Sequence, residues 1–362
     1  MIKVITKINK DIIFIFSVIT FSIIILFIYN FKVEKDKKFI PPGFQAASSV
    51  KNNKSICNGD LSKSKNVECL ISIAKEFKKD QRNILFLGNS QTGAINNFKK
   101  NDEDYISIIN KNKNIQNGSV NIKSIWLPNG NLGEFNKIIN QLDLCKLELD
   151  LVVLPIFLDD MRENFIREEI KMYSSKICKI DNADKKAEDK KIGNLYYLNE
   201  KIKENFLIMG NIEKLNQSLK ISLYKLRNFT FNIKPDSVRK IKESNYKSNL
   251  KALEELLEKR GNKKLKTLIY IPPLLNANGN GKIPYLISQY NIFKSNILNM
   301  CKREYCIYFN FEKTIPNKYW GTKNSTSLSR KSEIDFMHFT GEGHKILANR
   351  FINLLINLEI IN

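Results

Sequence analysis

A series of short apolar runs constrains this chain more than any other feature. "NILFLG" at 83–88, "KSIWL" at 123–127, "LDLVVLPIFL" at 149–158, "LKTLIYI" at 265–271 and "CIYFNF" at 306–311 are strand-length and rich in β-branched or aromatic residues. Between them lie helical patterns. "LGEFNKIINQLDLC" follows the second run, and "NLKALEELLEKRGN" precedes the fourth. In the latter, Leu250, Leu253, Leu256 and Leu257 share one face, and Gly261 is a plausible helix stop. Apolar strands that alternate with helices must be covered on both faces, which is the condition of parallel strands. The expected fold is therefore α/β with a doubly wound, mainly parallel sheet.

This body is expected to occupy residues 79–362. Residues 165–262 fit the alternation poorly and read mainly as a helical insertion, including the charged stretch "KICKIDNADKKAEDKKIGN". Upstream, Ile12 to Asn30 carries no charged residue. At 1.5 Å per helical residue it can cross a hydrocarbon core of about 30 Å. A cleaved signal peptide would have a shorter apolar region closely followed by small residues, but Ala46, Ala47 and Ser48 lie too far downstream. The expectation is a short tail (1–11), an uncleaved transmembrane anchor (12–30) and a polar stalk or leader (31–78). Lys3, Lys7 and Lys10 with the amino terminus balance Lys32, Lys35, Lys37 and Lys38, so the positive-inside rule does not orient the anchor. Six cysteines permit three disulfides of open connectivity, or buried thiols, and tip the expectation towards an extracytoplasmic body.

The net charge of +22 comes from dispersed lysines, without an arginine-rich stripe interleaved with aromatics. Nucleic acid is therefore not an expected partner. A solvated lysine surface is one reading, and attraction to an anionic envelope polymer or lipid surface is the other. No Cys-x-x-Cys pair exists and the chain has two histidines, so neither a metal nor a cofactor is expected.

The chemistry concentrates at two places. Ser90 follows the run Ile84 to Leu87, with Gly88 allowing a tight turn, and so stands where ligands gather in an open α/β sheet. A serine hydroxyl needs a base to act as a nucleophile. Both histidines lie in "SEIDFMHFTGEGHKILANR". Asp335 precedes His338 by a spacing that lets the carboxylate hold one imidazole nitrogen while the other faces the serine. His344 reads as the start of a helix packed on the sheet.

These blocks resemble the SGNH (GDSL) hydrolase superfamily, specifically its envelope-associated, membrane-anchored branch. "FLGNSQT" resembles the first block, usually Gly-Asp-Ser, with Asn89 in place of the aspartate, and "DFMHFTGEGHKILA" resembles the last. The resemblance covers roughly residues 80–168 and 262–355. It implies a flavodoxin-like three-layer α/β/α sandwich and a catalytic set of Ser90, Asp335 and His338. It further implies oxyanion donors from the serine turn, a glycine and an asparagine. "LPNGN" resembles the glycine block, making Gly130 the expected backbone donor. The asparagine position falls on Asp159, whose charge would repel an oxyanion, so Asn129 or Asn131 is expected to replace it, or Asp159 to face elsewhere, towards Arg162. Arg162 is also a candidate partner of Asp160 or of an anionic substrate group. Trp320 in "NKYWG" either lines the cleft or fills core.

The resemblance implies a membrane-anchored serine esterase or O-acyltransferase acting on acyl esters of an envelope polysaccharide or glycolipid, beside a membrane-bound O-acyltransferase. The alternative is a catalytically weak binding or assembly protein on the same scaffold.

Overall fold

The computed structural model describes residues 46–47, 80–112, 120–144, 149–167, 238–277, 282–323 and 333–361, with isolated positions at 73, 76–77, 115, 147, 170–171, 223 and 225–231. The expected anchor, most of the leader, the charged stretch at 176–194 and Cys57, Cys69, Cys145 and Cys178 lie outside these residues. Among the described residues, no helix is long and apolar enough to cross a membrane.

The strands in chain order are β1 (Ala46–Ala47), β2 (Arg82–Gly88), β3 (Ile95–Asn96), β4 (Val120–Trp126), β5 (Leu151–Pro155), β6 (Lys266–Ile271), β7 (Cys306–Asn310), β8 (Trp320–Lys323) and β9 (Glu333–Phe339). The central sheet has five strands in the order β4-β2-β5-β6-β7, and every neighbouring pair is parallel. The direction of the crossovers reverses between β2 and β5. That is the flavodoxin-like strand order, whose switch point opens a crevice at the carboxyl ends of these two strands. β1 pairs with β3 and β8 with β9, both antiparallel.

Helices α1 (Tyr105–Asn110), α2 (Leu132–Leu144), α3 (Glu243–Asn262), α4 (Ile287–Met300) and α5 (Gly341–Asn357) cover the sheet. The strand period of two divides the core into two faces. Leu85, Leu87, Val152, Leu154, Ile269 and Ile271 pack with Phe135 of α2, Leu253 of α3 and Phe293 of α4. Ile84, Phe86, Val153, Leu268 and Tyr270 pack with Tyr105 of α1 and Phe351 of α5. The three-layer α/β/α arrangement follows directly from this alternation. Cys301 and Cys306, just after α4 and at the start of β7, are joined by a disulfide.

Two local features differ from the sequence reading. Helix α3 continues through Gly261, and the left-handed residue after it is Lys264, with φ 55°. The buried guanidinium of Arg260 explains the later stop. It donates to Thr267 Oγ1 and to the carbonyls of Leu149 and Lys266, tying the last turn to the start of β6. In addition, Glu333–Phe339 forms a strand outside the central sheet, hydrogen-bonded to β8, before Thr340 caps the start of α5.

Candidate active site

β2 ends at Gly88, and the chain turns immediately into a 3-10 segment, Ser90–Thr92. A Cβ at Gly88 would lie 2.2 Å from Thr92 Oγ1 and 2.4 Å from Pro155 Cγ, so only glycine admits this turn. Asn89 caps the segment, its Oδ1 accepting from the Gln91 amide at 3.0 Å. Its Nδ2 donates to Asp160 Oδ1 at 3.0 Å, tying the serine turn to the loop after β5. Ser90 is thus held across the switch point.

His338 Nε2 lies 2.8 Å from Ser90 Oγ, and His338 Nδ1 lies 2.8 Å from Asp335 Oδ2. The three residues form one hydrogen-bonded line across an interval of the chain far too long for local structure to set. Asp335 is further held by the Met337 amide on Oδ1 and by Asn96 Nδ2 on Oδ2, each at 2.9 Å. Burial pushes the Asp335 carboxyl up, but the His338 contact, the Met337 amide and the charge of Lys323 outweigh it and hold the group below its ordinary value. It is therefore an anion at neutral pH, suited to stabilising an imidazolium. Gln91 Nε2 donates to the carbonyls of Met337 at 2.8 Å and Pro273 at 3.2 Å, fixing the histidine strand against the serine turn.

Gln91 and Asn96 are supporting residues that the sequence reading missed. Asn96 is fully buried, and Gly321 of β8 makes room for it: a Cβ there would lie 2.0 Å from Asn96 Cγ. Gln91 sits inside the serine motif, which was the available signal. Asn96 had none, because its partner lies on a distant strand.

The expected oxyanion donors are corrected in part. The Gly130 amide donates to Leu127 O at 2.9 Å, closing a turn with Pro128 second and Asn129 third, the latter at φ 54°. That N–H is occupied. Asn131 is also occupied: it immediately precedes α2, its Oδ1 accepting from the Glu134 amide and its Nδ2 donating to Phe165 O. The helix end claims its polar atoms, as an N-cap does. Among the described residues, the backbone N–H groups of Ser90 and Asn129 take no partner.

The acidic pair after β5 also differs from expectation. Arg162 forms its ion pair with Glu163 at 3.6 Å, on the surface, rather than with Asp159 or Asp160. Asp159 instead pairs with Arg239. Asp160 accepts from Asn89 and from the Phe157 amide, and burial pushes its carboxyl up to about 8 against the opposing effect of these hydrogen bonds. Trp320 is core, stacked edge-on against Phe339.

His344 is fully buried. Its Nδ1 accepts from the Tyr105 amide and its Nε2 meets Ala94 O, both at 3.2 Å, and burial pushes its imidazole down to about 3. A neutral imidazole with Nε2 protonated satisfies both contacts. It joins α5 to α1 and to the segment after the serine turn. Among the described residues, no group of acidic, histidine or cysteine side chains could hold a metal ion.

No family model matches this sequence and no curated protein is similar to it. Solved structures that resemble it include a protein described as an acylhydrolase from Bacteroides fragilis, 12% identical, covering 80% of this chain and 96% of that one, with a TM-score of 0.39. An acetylxylan esterase from Geobacillus stearothermophilus is 10% identical over 76% of this chain and 95% of its own, with a TM-score of 0.39. A protein described as a GDSL-like lipase from Parabacteroides merdae is 12% identical over 77% and 96%, with a TM-score of 0.40. Likeness this remote carries no functional argument.

Proposed function

We propose that the protein is an SGNH-type serine esterase or O-acyltransferase. The observation that carries this is the line Asp335–His338–Ser90, with both links at 2.8 Å and the serine displayed at the carboxyl end of β2. In the proposed reaction His338 Nε2 takes the Ser90 proton as Oγ attacks the ester carbonyl. The oxyanion of the tetrahedral intermediate accepts from the Ser90 amide. The imidazolium, steadied by Asp335, then protonates the departing alcohol and leaves an acyl-serine. Water deprotonated by the same imidazole completes hydrolysis, and a sugar hydroxyl in its place completes acyl transfer.

The proposed setting is the cell envelope, with residues 12–30 as the anchor and the body outside the cytoplasm. The Cys301–Cys306 disulfide supports this placement, since disulfides persist in oxidising compartments. The substrate is an acyl ester of a surface polysaccharide or glycolipid, with a membrane-bound O-acyltransferase as partner; this rests on the resemblance of the serine and histidine blocks.

A fluorophosphonate probe tests the chemistry. It should form an adduct on the Ser90 peptide that disappears in Ser90→Ala. An intact, folded protein that takes no label there refutes the esterase reading in favour of a binding protein on this scaffold. Fusions of a reporter to the C-terminus test the topology, and activity confined to the cytoplasm would overturn it.

A further inference from the structure

The loop after β5 carries a carboxylate, Asp159, where the resemblance leads one to expect a neutral amide. That carboxylate is bound through Oδ2 by Arg239 Nη1. The arginine is placed by its own backbone, whose N–H donates to Pro284 O at 2.9 Å and whose residue bridges to Tyr285. Its guanidinium carbon lies 4.6 Å from the centre of the Phe336 ring.

Both attachments are one step from the reacting groups. Asp159 adjoins Asp160, which holds Asn89 beside Ser90. Phe336 lies in β9 between Asp335 and His338. The guanidinium therefore spans the two segments that carry nucleophile and base. A purely structural arginine–carboxylate pair favours a two-armed fork. Here only Nη1 engages the carboxylate, Asp159 Oδ1 is buried without a partner, and 34% of the Arg239 side chain is exposed. The other guanidinium N–H groups have no partner among the described residues. A second cation, Lys323, sits 5.2 Å from the same ring.

We propose that Arg239 is a substrate-binding residue whose open guanidinium edge receives an anionic group, carboxylate or phosphate, carried by the ester substrate. The natural substrate is then an acylated acidic polymer or glycolipid. Asp159 orients the arginine and cancels most of its diffuse attraction, so recognition depends on the planar donor geometry rather than on charge alone. This deepens the esterase reading and rests on it for the word substrate, but the anion site can be measured without turnover.

The experiment uses Ser90→Ala protein and titration calorimetry with three esters: acetylated methyl glucoside, acetylated glucuronic acid and acetylated glycerol phosphate. At least one acidic ester should bind about 10- to 100-fold more tightly than the neutral one, the range of a charge-assisted hydrogen-bond pair. Which acidic ester prevails separates carboxylate from phosphate. Arg239→Gln in the same background should abolish the preference, bringing the acidic esters to the affinity of the neutral one, and Arg239→Lys should restore it only partly. If Arg239→Gln folds poorly, the Asp159→Asn/Arg239→Gln pair, which leaves no orphaned carboxylate, replaces it. Equal binding of all three esters, no measurable binding of the acidic ones, or a preference that survives Arg239→Gln overturns the proposal. So does an equal loss of turnover on neutral and acidic esters in Arg239→Gln with Ser90 intact, which would put the guanidinium on the oxyanion. An anion preference without hydrolysis or probe labelling would instead sink the esterase reading and leave the anion site standing.

Discussion

The two histidines stand on successive elements, His338 near the end of β9 and His344 in the first turns of α5, yet their surroundings give them opposite properties. His338 meets a carboxylate on one side and a partly exposed hydroxyl on the other. His344 meets an amide N–H and a carbonyl, packs against the rings of Tyr105 and Phe339, and has no solvent contact. An imidazole becomes a base when its conjugate acid is stabilised, and structural when burial penalises that acid. The difference lies in what the tertiary structure brings to each ring.

The largest effect that would sharpen this contrast is in His338→Ala. Turnover should fall by roughly 10⁴- to 10⁶-fold, as when the base of a serine–histidine unit is lost. The protein should still fold, with some loss of stability because the buried Asp335 carboxylate loses its imidazole partner. Retained esterase activity in this variant would remove the mechanism. Asp335→Asn should lower turnover by roughly 10²- to 10⁴-fold, because the imidazole remains but loses the carboxylate that fixes its tautomer. Rates on a chromogenic ester compare the two.

His344→Ala should act in the opposite manner. It leaves the Tyr105 amide and the Ala94 carbonyl without partners and opens a cavity, costing about 2–4 kcal/mol of stability. Activity per folded molecule should stay within a few-fold of wild type, as denaturant melts paired with active-site titration would report. A variant that melts normally but is inactive would reverse the roles of the two histidines.

The smallest effect is in the pH dependence of stability. His344, with its folded value near 3, contributes stability that is present above about pH 6.5 and lost as pH falls below that value. Asp160, with its folded value near 8, contributes stability that is present below about pH 4 and lost as pH rises towards 8. Between about pH 4 and 6.5 the two slopes oppose each other. Wild type should show a plateau there and decline on either side. Asp160→Asn should remove the alkaline decline, and a decline that persists would assign it to another group.

Much of this was legible in the sequence because the signals are local. Short continuous apolar runs such as Ile84 to Leu87 must become buried strands, and their alternation with apolar-faced helices forces a parallel sheet. The Ser90 turn and the Asp335–His338 spacing could be read for the same reason, since each is a short segment whose geometry its own residues constrain.

The donors and ion pairs were decided only by tertiary structure. Gly130 and Asn131 looked available until a turn and a helix end claimed their polar atoms. Asp159 could not be paired from sequence, because its partner Arg239 lies 80 positions away on a segment with no motif of its own. Asn96 reaches Asp335 only because Gly321 opens the way on a strand more than two hundred residues later. By itself, then, the sequence determined which segments become strands and helices and which side chains can do chemistry, since backbone sterics and burial act over a few residues. Which polar atoms remain free for a substrate was decided by the folded chain, since a hydrogen bond depends on positions in space that distant segments fix together.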